Sequence, residues 1–512
     1  MDVVQTSRKL ISDMIEQAGS QMKIFLMDSE TTPIVSCSFA QSEIMQKEFL
    51  MKELDKPRFT QYYLYFSNAV NKFDVKKLAE SDKNETVREI QEVFLDGIPL
   101  RKDLFILNFE RIFTDSFSLM SGIEEKLKNG IVALLLQLRI LPNIRHQKNS
   151  STCKSIGNEI AQFTRRENVL FENFRTDATL IIVERSLDVV TPLLNQWTYE
   201  AMIHELLKLS NNRCLCNEQN IVLSEQHDEF FSQNIIANFG EIGQNIKTLI
   251  DDFQEKKKIN KNLESIQEMK KFVEDYPQFK KISGTVSKHV NLVGELSNLV
   301  QKYNLLEISE VEQFIITEGD HNKCTERVKE LLNNPRTREM DAIRLIALYA
   351  IRFENVPGNQ LKSFLSRWKL ENSKIVKIVE KLLSYGGIKN RPTDLFGGQS
   401  TIEITKRFMK GLKGVENIYT QHSPYIKNLV ESINRGKFEN YPSIQSENDK
   451  IEHLIIFIVG GATYEEAAYV RGLNERRKNG FGGPSVVLSS NCMHNTKSFL
   501  SDFSDNNDLF RT

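Results

Sequence analysis

Two apolar runs, HLIIFIV at 453–459 and SVVLSS at 485–490, stand almost alone beyond the helical pattern of residues 230–435. Both read as strands, and an isolated pair of strands is marginal in water because its edges leave backbone groups unpaired. They must therefore join a sheet whose other strands lie far earlier in the chain. The run TLIIVE at 179–184 is of the same kind, followed by a turn and an apolar helix. The economical solution is an α/β domain interrupted by a large all-helical insertion.

The N-terminal third supports an α/β reading. KIFLMD (23–28), IVSCSF (34–39) and QYYLYFS (61–67) read as strands. Helical spacing predicts helices over 3–18, 41–54 and 72–80, with another opened by Asn84 or Thr86 and running to Phe94. Farther on come a helix around LLLQL, a short NIRHQ strand and a helix near 155–166. From about 230 the apolar period becomes 3.6 and the helices long and charged.

A chain of 512 residues is too long for one core. Lys and Arg total 67 against 68 Asp and Glu, so no overall polycation favours nucleic acid or anionic lipid. The first residues lack the apolar core of a signal peptide, and GIVALLLQLRIL is too short to span a bilayer. Any membrane role is expected to run through a protein partner. The six cysteines are scattered; only Cys214 and Cys216 are close, without a second pair at ligand spacing, so neither a metal nor a cofactor is expected.

Two stretches invite an enzymatic reading. FIVGGATYEEA (457–467) places Gly460 and Gly461 between a strand and a helix, where free amides could hold a phosphate. The third glycine of a dinucleotide fingerprint and the Lys-Ser/Thr of a P-loop are missing, while Thr463 and Glu466 have capping-box spacing, which favours a structural turn. A nucleotide-using α/β enzyme stays as the alternative, beside a passive trafficking scaffold. His204-Glu205 lacks the second His of a zinc helix, so His204 is expected to be exposed on an amphipathic helix.

The stretch LDVVTPLLNQWTYEAMIHELL (187–207) reads as a structural joint. Thr191 and Pro192 suit N-cap and first position, and Trp197 adds to a broad apolar surface. Asp188 could be a base, but no neighbouring His, Lys or Ser supplies a partner. Within the insertion, apolar faces over 263–276 and 282–300 predict a helical hairpin bent at Tyr276-Pro277. Its stripes suit either a core or a helical partner.

These stretches, with FGEIGQNIKTL, SIQEMKKFVEDYPQFKKISGTVSKHVNLVGELS and ITKRFMKGLKGVENIYTQH, resemble the SM (Sec/Munc) family of SNARE regulators over nearly the whole chain. The resemblance implies a three-domain arch: an α/β domain at 1–120, a discontinuous α/β domain at 121–230 and 441–512, and a helical domain at 231–440. It implies no catalysis, but binding of a syntaxin-type SNARE and its assembling complex to promote fusion at trans-Golgi and endosomal membranes. The protein would be cytoplasmic and held at the membrane through the SNARE, with an endosomal tether or small-GTPase effector as further partners. Tyr276, Pro277, Phe279, Ser287 and Val290 would carry the SNARE surface of the hairpin. Val75, Leu78 and Ala79 on one helix, with Val87, Ile90 and Phe94 on the next, would form the pocket for a syntaxin N-terminal peptide. Spacing alone favours the packing of those six side chains onto the sheet, and the resemblance reverses that preference. Two departures stand out: Glu184-Arg185 replaces the family's Asp-Arg, and between Lys47 and Arg58 a strand–connector–strand unit is absent.

Overall fold

The computed structural model describes residues 1–19, 27–28, 30–39, 56–68, 70, 72–261, 266–317, 319–367, 373–391, 395–396, 421–445 and 451–504. Most of the strand expected at 23–28 and the helix expected at 41–54 lie outside these, as does most of the Lys47–Arg58 junction. By contacts the chain divides into two compact units. One comprises Met1–Arg185, Asn428–Ala462 and Tyr469–Met493; the other comprises Ser186–Lys427, Thr463–Ala468 and His494–Thr512.

The described strands, in chain order, are β1 (Tyr62–Phe66), β2 (Val87–Glu92), β3 (Ile98–Arg101), β4 (Leu104–Ile106), β5 (Asn143–His146), β6 (Ala178–Glu184), β7 (Arg213–Cys216), β8 (Gln219–Val222), β9 (His453–Val459) and β10 (Ser485–Ser490). The first unit is built on a sheet in the order β3-β4-β10-β9-β6-β5, parallel throughout except for the antiparallel edge pair β3–β4. The C-terminal strands thus lie beside β6, as their isolation in the sequence requires. Every residue of β9 and β10 is buried, which explains their continuous apolar runs: helices of a parallel sheet cover both faces. On one face Leu180, Ile182, Ile455, Phe457 and Val459 pack with Leu127, Ile131 and Leu134 of helix Ile123–Leu138 and Ile156 and Ile160 of helix Ser151–Arg166.

β3 and β4 belong to this same sheet, so it crosses the boundary expected at residue 120. The segment after Arg185 groups with the helical unit rather than with the sheet. In that second unit, helix Glu339–Arg352 is buried without interruption from Asp341 to Ile351. Helices Leu305–Thr317, His321–Asn333, Leu361–Arg367 and Ser373–Gly386 pack around it, which accounts for a helix apolar on all sides.

Several expectations are corrected. Residues 34–39 are not a strand but part of helix Thr31–Phe39. The Asp28 carboxylate accepts from the amides of Glu30 and Thr31 at 3.1 and 2.7 Å, and Pro33 sits in the first turn, where a missing N–H costs nothing. The helix expected to run to Phe94 is instead β2, paired in parallel with β1. Asp82 fixes its start by accepting from the amides of Thr86 and Val87.

The expected hairpin also takes another form. Helix Ile266–Lys302 is continuous through Tyr276-Pro277, with no bend into two helices there. Helix Phe239–Lys261 precedes it in sequence and is in contact with it. Apolar spacing on both sides of Pro277 cannot distinguish one long helix from two.

Candidate functional site

The joint that opens the second unit is organised by Asp188, which is buried. Its carboxylate accepts from the amides of Val190, Thr191 and Tyr425 at 3.1, 2.9 and 2.9 Å and from the Thr191 hydroxyl at 2.5 Å. Because an ionised carboxylate only accepts, the Thr191 proton points to Asp188, and His422 Nε2 donates to Thr191 Oγ1 at 2.8 Å. Thr191 is fully buried, and this Asp–Thr–His chain is a tie between the segments 188–191 and 422–425. It supplies the polar neighbours of Asp188 that spacing could not show.

It also corrects the helix expected from Thr191. Thr191, Pro192 and Leu193 make only a short 3-10 turn, Leu194 is extended, and the helix proper runs Tyr199–Leu207. Thr191 is inside that turn rather than its N-cap. Trp197 is buried, donates from Nε1 to Ser309 Oγ at 3.0 Å, and packs near Phe239. His204, expected to be exposed, is buried against the Tyr464 ring. Burial, helped by the charge of His494, lowers its pKa to about 3, so it is neutral at pH 7.

The Gly460-Gly461 turn is saturated from within. Both glycines have positive φ, 100° and 92°, and both amides donate to Asn491 Oδ1 at 2.8 and 3.0 Å. The donors a phosphate would need already have an acceptor. Thr463 and Glu466 form the capping box: the Glu466 amide donates to Thr463 Oγ1 at 3.2 Å, and the Thr463 amide to Glu466 Oε2 at 2.9 Å. Glu184 accepts from Ser150 Oγ at 2.5 Å, and buried Arg185 reaches the Gly461 carbonyl, so the Glu-Arg departure fits a closed network. Among the described residues no group of His, Cys, Asp and Glu is placed to hold a metal ion.

The long helix Ile266–Lys302 is anchored by a polar cluster near its middle. His289 is buried; its Nε2 lies 2.8 Å from Asp228 Oδ2 and its Nδ1 2.8 Å from the Tyr199 hydroxyl. Lys288 also donates to Asp228. Burial pushes the Asp228 carboxyl up, but the hydrogen bonds from His289 and Lys288 and the charge of Lys288 outweigh this and hold it well below the usual range. Burial lowers the His289 pKa despite Asp228, so a neutral ring donating from Nε2 and accepting from protonated Tyr199 satisfies every partner. Beyond this anchor, Ser287 is exposed and Val290 half-buried. Tyr276, Pro277 and Phe279 lie within the helix, and their side chains are outside the described residues.

A second buried cluster centres on Arg344, which binds Glu205, Glu312 at 3.4 Å, Asp341 at 3.5 Å and Thr496 Oγ1 at 2.9 Å. Glu312 also accepts from the amide and side chain of Asn195, both at 2.9 Å. Burial, against the pull of Arg344 and with Asp341 and Glu205 adding to it, raises the Glu312 pKa to about 7.

The expected peptide pocket is rearranged. Val75, Leu78 and Ala79 do lie on a helix, Lys72–Ser81, but Leu78 is buried with Tyr62 and Leu64, and Val87 packs against that cluster. Val87, Ile90 and Phe94 do not share a helix face. A register shift beside Tyr62 places Val87 opposite Tyr62 and Ile90 opposite Leu64; Phe94 lies beyond the end of β2 with a left-handed φ of 47°. The structure therefore brings Leu78 and Val87 together as core, while Val75 is half-buried, Ala79 exposed and Ile90 41% exposed. Phe73, which the spacing argument passed over, is 63% exposed with Lys77 over its ring. A lone aromatic one residue into a helix carries no periodic signal.

These features coincide with a family match. The Sec1 family model covers residues 48–502, and the chain belongs to the Sec1 family. It is 42% identical to mouse vacuolar protein sorting-associated protein 45, over 98% of this chain and 96% of that protein, and equally so to the human protein. Among solved structures it is similar to the SM protein Vps45 in complex with the Qa SNARE Tlg2, with TM-score 0.86, 34% identity and 98% of each chain covered.

Proposed function

We propose that this chain is an SM-type regulator of vesicle fusion in trans-Golgi and endosomal transport, acting by binding a syntaxin-class SNARE and its assembling complex. The observation that carries this reading is similarity along almost the entire chain to a protein solved with a Qa SNARE bound. On the family's plan, the N-terminal region holds a SNARE N-terminal peptide and the helical region holds SNARE helices. The protein acts without catalysis, reaches membranes through its SNARE, and works with an upstream tether or small GTPase. For the peptide site the accessible apolar groups are Val75, Ala79 and Ile90; Leu78 and Val87 support them from the core. For the helical surface, Ser287 and Val290 lie on the stretch beside the His289 anchor. No described helix is long and apolar enough to cross a membrane, which suits attachment through a partner.

Calorimetric titration of the full chain with the cytosolic region of a syntaxin-class SNARE tests the proposal. Saturable binding, weakened when the SNARE's N-terminal peptide is deleted, is expected. No binding across a panel of such SNAREs, or micromolar binding of ATP, GTP or NAD instead, overturns it.

A further inference from the structure

Away from these surfaces, the first unit holds a cavity of about 1130 Å3 beside the start of β10. Its wall includes Met1, Lys102, Phe438, Glu452, Arg477 and Phe481, and much of the rest is polar or glycine. Two chain segments flank it, 434–438 and 477–485. With the adjoining helix end they present Arg435, Lys437, Arg476, Arg477 and Lys478, all exposed. Glu452 pairs with Arg477 and Glu431 with Arg435, each at 3.5 Å, while Asp103 is matched to Arg101, so among the described residues the acids offset only part of this charge and Lys437, Arg476 and Lys478 remain in excess. In a chain of net charge −1, the concentration of cations here is a local feature.

Phe481 adds the second observation. Helix Tyr464–Lys478 ends in paired reverse-turn bonds, Gly480 N to Arg477 O and Phe481 N to Arg476 O, both 3.1 Å, with Gly480 left-handed at φ +87°. An apolar residue at this place ordinarily folds back onto the last helical turn. Phe481 is instead 66% exposed, held out between Gly480 and Gly482-Gly483. An exposed aromatic ring beside clustered Arg and Lys is the chemistry of the membrane interface, where the ring enters the headgroup layer and the cations meet anionic lipid.

We propose that this loop and its basic rim form a direct contact site for an anionic bilayer surface, separate from attachment through the SNARE. A bilayer is favoured over an acidic peptide because the Phe481 ring is 66% exposed and set among glycines and cations. The site adds orientation to the tether: a chain touching both SNARE and lipid has fewer ways to face the membrane.

The test uses the full chain without SNARE, sedimented with vesicles of phosphatidylcholine alone or mixed with phosphatidylserine. Binding is expected only to the mixed vesicles and should fall with added salt. Lys478→Glu should weaken it by about tenfold or more, since each cation near such a surface is worth roughly fivefold. Phe481→Ala should weaken it severalfold, and Phe481→Trp should give a blue-shifted emission with mixed vesicles that the parent chain lacks. Circular dichroism and SNARE binding unchanged in these variants exclude misfolding. Equal binding to both vesicle types, an unmoved Phe481→Trp emission, or binding confined to a Glu-rich peptide or to soluble glycerophosphoserine each overturns the proposal.

Discussion

The six-stranded sheet and the β1–β2 pair are both parallel, yet they rest on very different cores. In the larger sheet β9 and β10 are buried along their whole length, and two helices cover one face. In the smaller, β2 alternates between half-buried and exposed, and the fully buried cluster is Tyr62, Leu64 and Leu78. A strand buried on two sides has nothing left to offer a partner. One with a small core keeps apolar side chains such as Ile90 and Phe73 at the surface. The difference separates the scaffold from the face proposed for recognition within a single unit.

The largest way to test that contrast is to remove a ring from the larger sheet. Phe457→Ala should cost about 3–5 kcal/mol in urea unfolding, as for other buried aromatic truncations. A loss under 1 kcal/mol would show that this sheet does not carry the unit's stability. Buried charge probes the same question in the second unit. Glu312 has a folded pKa of about 7, raised above its unfolded value. Between about pH 4.5 and 7 the folded state keeps a proton that the unfolded state has lost, so stability falls as pH rises through this window, by about 3 kcal/mol at most, and is flat above it. Glu312→Gln should remove that slope when unfolding is measured at pH 5 and 7.5. His204, with its pKa lowered to about 3, acts with opposite sign: stability is lost as pH falls from about 6.5 toward 3.

Leu78→Ala should cost less, about 2 kcal/mol, and loosen the β1–β2 region first. Hydrogen exchange should show new opening confined to residues 62–92; protection lost equally in β9 would mean that the two cores are one cooperative block. The smallest stability effect is expected for Ile90→Arg, within about 0.5 kcal/mol because the side chain is exposed. SNARE N-peptide affinity should nevertheless drop by tenfold or more. An unchanged affinity removes Ile90 from the proposed site.

The same contrast explains what could be read from residues alone. β6, β9 and β10 announce themselves because burial on both faces demands unbroken apolar runs. The turn at Gly460 was equally legible through Thr463 and Glu466, since a capping box is a local motif. β2 was not: a bulge beside Tyr62 spaces Val87 and Ile90 three apart, which imitates a helix. Thr191 misled for a different reason. Its partner His422, and Tyr425 whose amide donates to Asp188, lie more than two hundred residues away, and no local rule foresees a carboxylate that gathers an amide from such a distance. In the long helix, Pro277 is an ordinary breaker overridden by the continuous segment that contains it.

The adjacency of β6 and β9 also imposes a timetable. On the ribosome, the outer edge of β6 ends at Glu184, while its neighbour begins only at His453. At roughly 5–20 residues per second, synthesis takes on the order of 15–50 s to deliver the missing strand. Throughout that interval the nascent chain carries an apolar edge awaiting its mate, while the main segment of the second unit, Ser186–Lys427, emerges. Such a chain depends on holding factors during translation, and its yield in cells should follow translation speed as much as the strength of the finished fold.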